Sequence, residues 1–178
     1  MDRTDWQGIA DGLELGGGTV RARLVARGRV QGVGFRPSVF RYAVEENLAG
    51  FVRNTRLGVV IEVEGPRESV DRFALRLLGE PPPLARIDEL DAEAVPPAGG
   101  GRFVILESEE PGRAEALFPV DTAVCADCLR EMRDPADPRF RYPFINCTNC
   151  GPRFTIIEGL PYDRPLTTMR RFEMDGLC

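Results

Sequence analysis

Residues 19–65 read TVRARLVARGRVQGVGFRPSVFRYAVEENLAGFVRNTRLGVVIEVEG. From Thr19 to Ala26 the residues alternate, with Val20, Ala22, Leu24 and Ala26 on one side and Arg21 and Arg23 on the other. A period of two marks a half-buried strand. Gly28, Gly32 and Gly34 break that pattern, and Pro37 stands where a first helical turn tolerates proline. Val39, Phe40, Ala43, Val44 and Leu48 then recur at helical spacing until Gly50, which predicts a helix with one apolar face. Gly50–Asn54 and Val59–Glu64 read as strands. Only Thr55-Arg56-Leu57-Gly58 separates them, a connection short enough for a hairpin.

Downstream, Val70, Phe73, Ala74, Leu77 and Leu78 mark a second amphipathic helix, ended by Pro81-Pro82-Pro83. Ala85–Val95 reads as a weaker strand and Phe103–Leu106 as a short edge piece. The order βαββαβ predicts an α+β fold of the ferredoxin-like kind, an antiparallel sheet with both helices on one face. Four segments follow: a flexible tail over 1–18, this domain over 19–108, a linker over 109–124, and a cysteine-bearing module over 125–178. The opening stretch is acidic and Gly-rich, with neither the basic start nor the apolar core of a secretory signal.

Composition narrows the chemistry. The net charge of −5 argues against broad nucleic-acid binding. Every basic residue is an arginine, so Schiff-base and P-loop lysine mechanisms are excluded. The chain contains no histidine, which removes the commonest general base and the Ser–His and Cys–His pairs. Catalysis falls to arginine, carboxylate, amide, cysteine, backbone or metal.

Gly28-Arg29-Val30-Gln31-Gly32-Val33-Gly34-Phe35-Arg36 joins the first strand to the first helix. Glycines let backbone N–H groups turn toward one centre, and the helix start adds positive potential. Such a loop is either a plain turn or a phosphate cradle. Arg36 adds a planar, permanently charged fork. Asn54, at the end of its strand, is either a turn-tolerant residue or a neutral amide able to hold a water beside an anion.

GRVQGVGFR followed by GFVRNTRLGVVIEVEG resembles the two signature segments of the acylphosphatases. The resemblance covers residues 19–108. It implies that Arg36 binds the substrate phosphate and that Asn54 positions the attacking water, with the amides of Gln31, Gly32, Val33, Gly34, Phe35 and Arg36 completing the cradle. Leu57 departs from the polar residue common before the hairpin glycine. No metal is expected at this site.

Cys125-Ala126-Asp127-Cys128 and Cys147-Thr148-Asn149-Cys150 are separated by eighteen residues, the spacing of paired zinc knuckles. Four thiolates make a closed, structural tetrahedral site, which competes with a reading as free or redox-active thiols. Without a secretory signal, thiols that hold metal place the chain in the cytoplasm. The stretch CADCLREMRDPADPRFRYPFINCTNCGPRFTIIEGLPYDRPLT is similar to the zinc-finger region of the hydrogenase maturation carbamoyltransferases, the HypF family. That family places an acylphosphatase domain before the finger. The resemblance implies hydrolysis of carbamoyl phosphate to carbamate as a first step of carbamoyl transfer, with later domains passing the carbamoyl group to HypE. It also implies a second pair of knuckles, of which Cys178 matches only the first cysteine, so the chain reads as a fragment with that thiol unpaired.

A binding module without catalysis is the competing reading. Arg130, Arg133, Arg139, Arg141 and Arg153 lie near Phe140, Tyr142 and Phe144, and basic residues interleaved with aromatics hold single-stranded nucleic acid. The plainer expectation is that these arginines neutralise thiolates and nearby acids while the aromatics fill a small core.

Overall fold

The computed structural model describes residues 6–13, 18–108, 122–147, 149–151, 153–159 and 164–172. Its elements in chain order are α1 (Trp6–Gly12), β1 (Thr19–Arg29), α2 (Phe35–Glu45), β2 (Ala49–Thr55), β3 (Gly58–Pro66), α3 (Arg67–Gly79), β4 (Arg86–Val95), β5 (Phe103–Ile105) and α4 (Ala126–Arg133). Short 3₁₀ turns follow at Phe154–Ile156, Arg164–Leu166 and Thr168–Arg171.

The sheet runs β4-β1-β3-β2-β5. β1 pairs antiparallel with β3 and β4, and β2 antiparallel with β3, which is the split βαβ arrangement expected from the element order. β5 adds a parallel edge, Gly50 to Phe103 through Val52 to Ile105. The alternation of β1 decides the two faces. Ala22, Leu24 and Ala26 are fully buried, joined in the core by Val59, Ile61 and Val63 of β3. Each fully buried Leu or Ile stabilises the fold by roughly 1.5–3 kcal/mol. The other face is polar: Arg21 bonds Glu62 and Glu64, and Arg27 pairs with Glu89 and Asp91.

α2 contacts β2 and β5, while α3 contacts β1 and β3. Val70, Phe73, Ala74 and Leu77 of α3 enter the core as the helical spacing predicts, whereas on α2 Val39 and Ala43 do so with Phe35 and Tyr42, and Phe40 and Val44 stay exposed on the next faces of the turn. The hairpin turns on Arg56 and Leu57, with Leu57 exposed.

The expectation of a loose tail over 1–18 fails at α1. Trp6 is 1% exposed and donates its indole N–H to Asp71 Oδ1 at 2.9 Å, and Ala10 is buried with it. The indole body needs an apolar cover and its N–H an acceptor; α3 supplies the acceptor and the core supplies the cover. Among the described residues no helix is long and apolar enough to cross a membrane.

Candidate functional site

The loop between β1 and α2 places Gly32 at φ 68° and Gly34 at φ 73°, left-handed geometry that other residues rarely adopt. Gly34 is the N-cap of α2 and carries no side-chain cap bond, and the first turn of α2 contains no acidic residue. The leading amides of α2 are therefore left without a capping or acidic side chain of the first turn to compete for an anion. Gln31 and Val33 hold the loop in place. Gln31 donates through Nε2 to the carbonyls of Thr55 and Gly58, at 2.8 and 2.9 Å, tying the loop to the hairpin. Val33 is buried in the core.

Asn54 is 2% exposed. Its amide lies 3.2 Å from both Nε and Nη2 of Arg36. Both arginine nitrogens are donors, so the amide oxygen belongs on that side and Nδ2 turns away from it. Arg36 also donates from Nη1 to Ser108 Oγ at 3.4 Å. The two residues singled out in the sequence thus meet, one from the start of a helix and one from the end of a strand.

They line a cleft of about 240 Å³ with Gly32, Gly34 and Phe35. That lies below the ~300 Å³ at which drug-sized pockets begin, and suits a small ligand. Val30 and Pro37 add to the domain's side, and a further wall comes from beyond the domain: Asn146, Cys147 and Gly151 of the second knuckle. Sequence reasoning assigns those residues to a separate module, and nothing local in them signals that they reach the loop.

The second knuckle belongs to a cluster of Cys125, Cys128, Cys147 and Cys150, whose sulfurs all lie within 4.8 Å of one another. Cys125–Cys147, Cys128–Cys150 and Cys147–Cys150 are 3.6, 3.7 and 3.8 Å apart. Four sulfurs at about 2.3 Å from a tetrahedral ion stand about 3.8 Å from each other, so the donor set fits a four-thiolate metal. Burial pushes the Cys128 thiol up. Burial also works against the Cys150 thiolate, but the hydrogen bonds its sulfur accepts outweigh it and bring the group down to about 6. Arg153 is buried and satisfies the cluster from behind. It donates to Cys150 Sγ at 2.8 Å, to the Ile145 carbonyl at 2.7 Å and to the Thr122 carbonyl at 3.1 Å. Cys178 lies outside the described residues.

Two of the arginines around the finger are matched by acids, Arg130 by Asp127 and Arg139 by Glu131, while Arg153 serves the cysteine cluster instead. The expectation that the aromatics fill a small core is not met. Phe140, Tyr142 and Phe144 are 42%, 38% and 41% exposed, because the buried cluster under the finger is built from the cysteines and Ile145.

The acylphosphatase family profile matches residues 22–105, and the HypF finger profile matches residues 124–157. An acylphosphatase of Anaeromyxobacter dehalogenans is 46% identical over 88 residues, which cover 94% of its length. This chain belongs to the acylphosphatase family. Its acylphosphatase domain is followed by the HypF finger, the order found at the N-terminus of HypF proteins. The carbamoyltransferase HypF of Rhizobium leguminosarum is 52% identical over 149 residues, 84% of this chain and 19% of the relative. Carbamoyltransferase HypF2 of Cupriavidus necator is 50% identical over 86% of this chain and 19% of the relative. The chain thus spans about a fifth of the length of these curated relatives. A crystal structure of full-length HypF in a phosphate- and nucleotide-bound form superposes with a TM-score of 0.81 at 45% identity, over 90% of this chain and 21% of that one.

Proposed function

We propose that this chain hydrolyses an acyl phosphate, carbamoyl phosphate foremost, with Arg36 as the phosphate-binding residue and Asn54 as the residue that positions water. The observation that carries the proposal is the contact of the Asn54 amide with the Arg36 guanidinium in one small cleft beside the Gly32–Gly34 loop. The guanidinium and the helix-start amides offset the charge that spreads over the phosphoryl oxygens. Asn54 holds its water without adding negative charge near the anion. Water adds at phosphorus, the bond from phosphorus to the acyl oxygen breaks, and the carboxylate or carbamate leaves with the bonding pair. The water's proton passes to a phosphoryl oxygen. An activated leaving group makes a strong base unnecessary, in keeping with a chain that has no histidine.

The metal we assign to the four cysteines is zinc, in a structural role, because sulfur spacing and donor type match it and a four-thiolate site leaves no position open for substrate. A thiolate-bound metal suits a reducing compartment and supports the cytoplasm. The likeness to HypF supports a place in carbamoyl transfer during nickel–iron hydrogenase maturation, with HypE as the acceptor served by the full-length protein. Phosphate release from carbamoyl phosphate and acetyl phosphate, measured for the wild type beside Asn54→Ala, tests the hydrolytic reading. Turnover by the wild type that falls at least about tenfold in the variant supports it. Turnover that the variant retains in full contradicts the role of Asn54.

A further inference from the structure

The finger contributes a wall to the acyl-phosphate cleft, and among the described residues that wall carries one polar side chain outside the cysteines, Asn146. Its Nδ2 donates to the Phe144 carbonyl at 3.3 Å. A carbonyl accepts only from a donor, so the amide's orientation is fixed and its oxygen is the end left for a ligand. Among the described residues nothing donates to that oxygen. On the same knuckle, Gly151 sits at φ 69°, where a Cβ would stand 3.2 Å from the Gly32 carbonyl oxygen and 3.2 Å from Leu84 Cδ1 on the facing side. The knuckle is therefore packed against the cradle and holds Asn146 at the cleft.

We propose that Asn146 is a specificity-determining residue that reads the acyl group, accepting a hydrogen bond from a substrate NH₂ through its amide oxygen. The inference rests on the hydrolytic reading above and deepens it. Carbamoyl and acetyl phosphate have nearly the same shape and the same phosphate. They differ where one carries two N–H donors and the other a methyl group. Phosphate-binding groups cannot separate them, since they touch what the two share. An acceptor at the acyl end can, because a substrate N–H left without a partner in a small cleft loses its hydration for nothing. A methyl group makes no use of that acceptor.

The test compares kcat and KM for carbamoyl phosphate and acetyl phosphate in the zinc-supplemented chain, for the wild type, Asn146→Ala and Asn146→Leu. Asn146 is exposed, and circular dichroism together with zinc stoichiometry checks that each variant keeps its fold. The expected result is a loss of about tenfold in kcat/KM for carbamoyl phosphate in both variants, with acetyl phosphate within about twofold of the wild type. An active wild type whose ratio between the two substrates stays unchanged in both variants overturns the inference alone. A wild type that hydrolyses neither substrate overturns the hydrolytic reading, and this inference with it.

Discussion

Gly151 of the finger lies so close to Gly32 of the cradle that a Cβ placed on it would stand 3.2 Å from the Gly32 carbonyl oxygen. Finger and cradle therefore meet through backbone, at a position where both glycines have positive φ. A side chain at 151 is disfavoured twice, by the left-handed conformation and by the approach to a carbonyl that cannot move without dragging the loop. Gly151→Val is expected to cost about 1–2 kcal/mol from the conformation alone. It should lower the urea midpoint and narrow the preference for carbamoyl over acetyl phosphate by shifting the wall. A variant of wild-type stability and selectivity would show that the contact is dispensable.

Arg153 gives the metal site its second layer. Three acceptors converge on one buried guanidinium: Cys150 Sγ, the Ile145 carbonyl and the Thr122 carbonyl. Four thiolates around a divalent ion leave net negative charge, and Arg153 offsets part of it while fixing the knuckle. Arg153→Ala should weaken zinc binding by roughly 10–100-fold, read by competition with a chromophoric chelator. Arg153→Lys should restore little, because an ammonium does not present a planar fork to three acceptors. Rescue by lysine would reduce the role to charge alone.

Glu64 predicts an acid-sensitive loop. Hydrogen bonds from the Ala98 and Gly99 amides, at 2.7 Å each, and the nearby Arg21 hold its carboxyl below its ordinary value of 4.5, against the opposing effect of burial. The folded value is the lower one, so between the two values the unfolded chain binds the extra proton and stability rises with pH. The contribution is fully present above about 4.5 and is lost as pH falls through the depressed value. Urea midpoints between pH 7 and pH 3 should fall less steeply for Glu64→Gln than for the wild type, and parallel curves would contradict this.

Local pattern carries the acylphosphatase domain because its signals are local. The alternation Val20, Ala22, Leu24, Ala26 has a period of two, the stripe Val70, Phe73, Ala74, Leu77 has a helical period, and each run is long enough to show it. The meeting of Arg36 and Asn54 is legible because strand order brings the start of α2 and the end of β2 together. α1 is not legible: seven residues in a Gly-rich, acidic segment give too short a period, and the acceptor for Trp6 is Asp71, on α3. Asn146 is missed for a related reason. Its neighbours Cys147 and Cys150 announce a metal site, and no property of the knuckle itself reports that it rests against Gly32.

The proposed hydrolysis rests on a guanidinium and an amide held together in one cleft. Its most direct test is steady-state phosphate release from carbamoyl phosphate by the wild type, Arg36→Ala and Arg36→Lys. The prediction is robust turnover by the wild type, a loss of at least about a hundredfold in Arg36→Ala, and poor recovery in Arg36→Lys, since a point charge neither forks onto phosphate nor meets the Asn54 oxygen through two nitrogens. Turnover by folded Arg36→Ala at the wild-type rate would leave the guanidinium no part in the reaction.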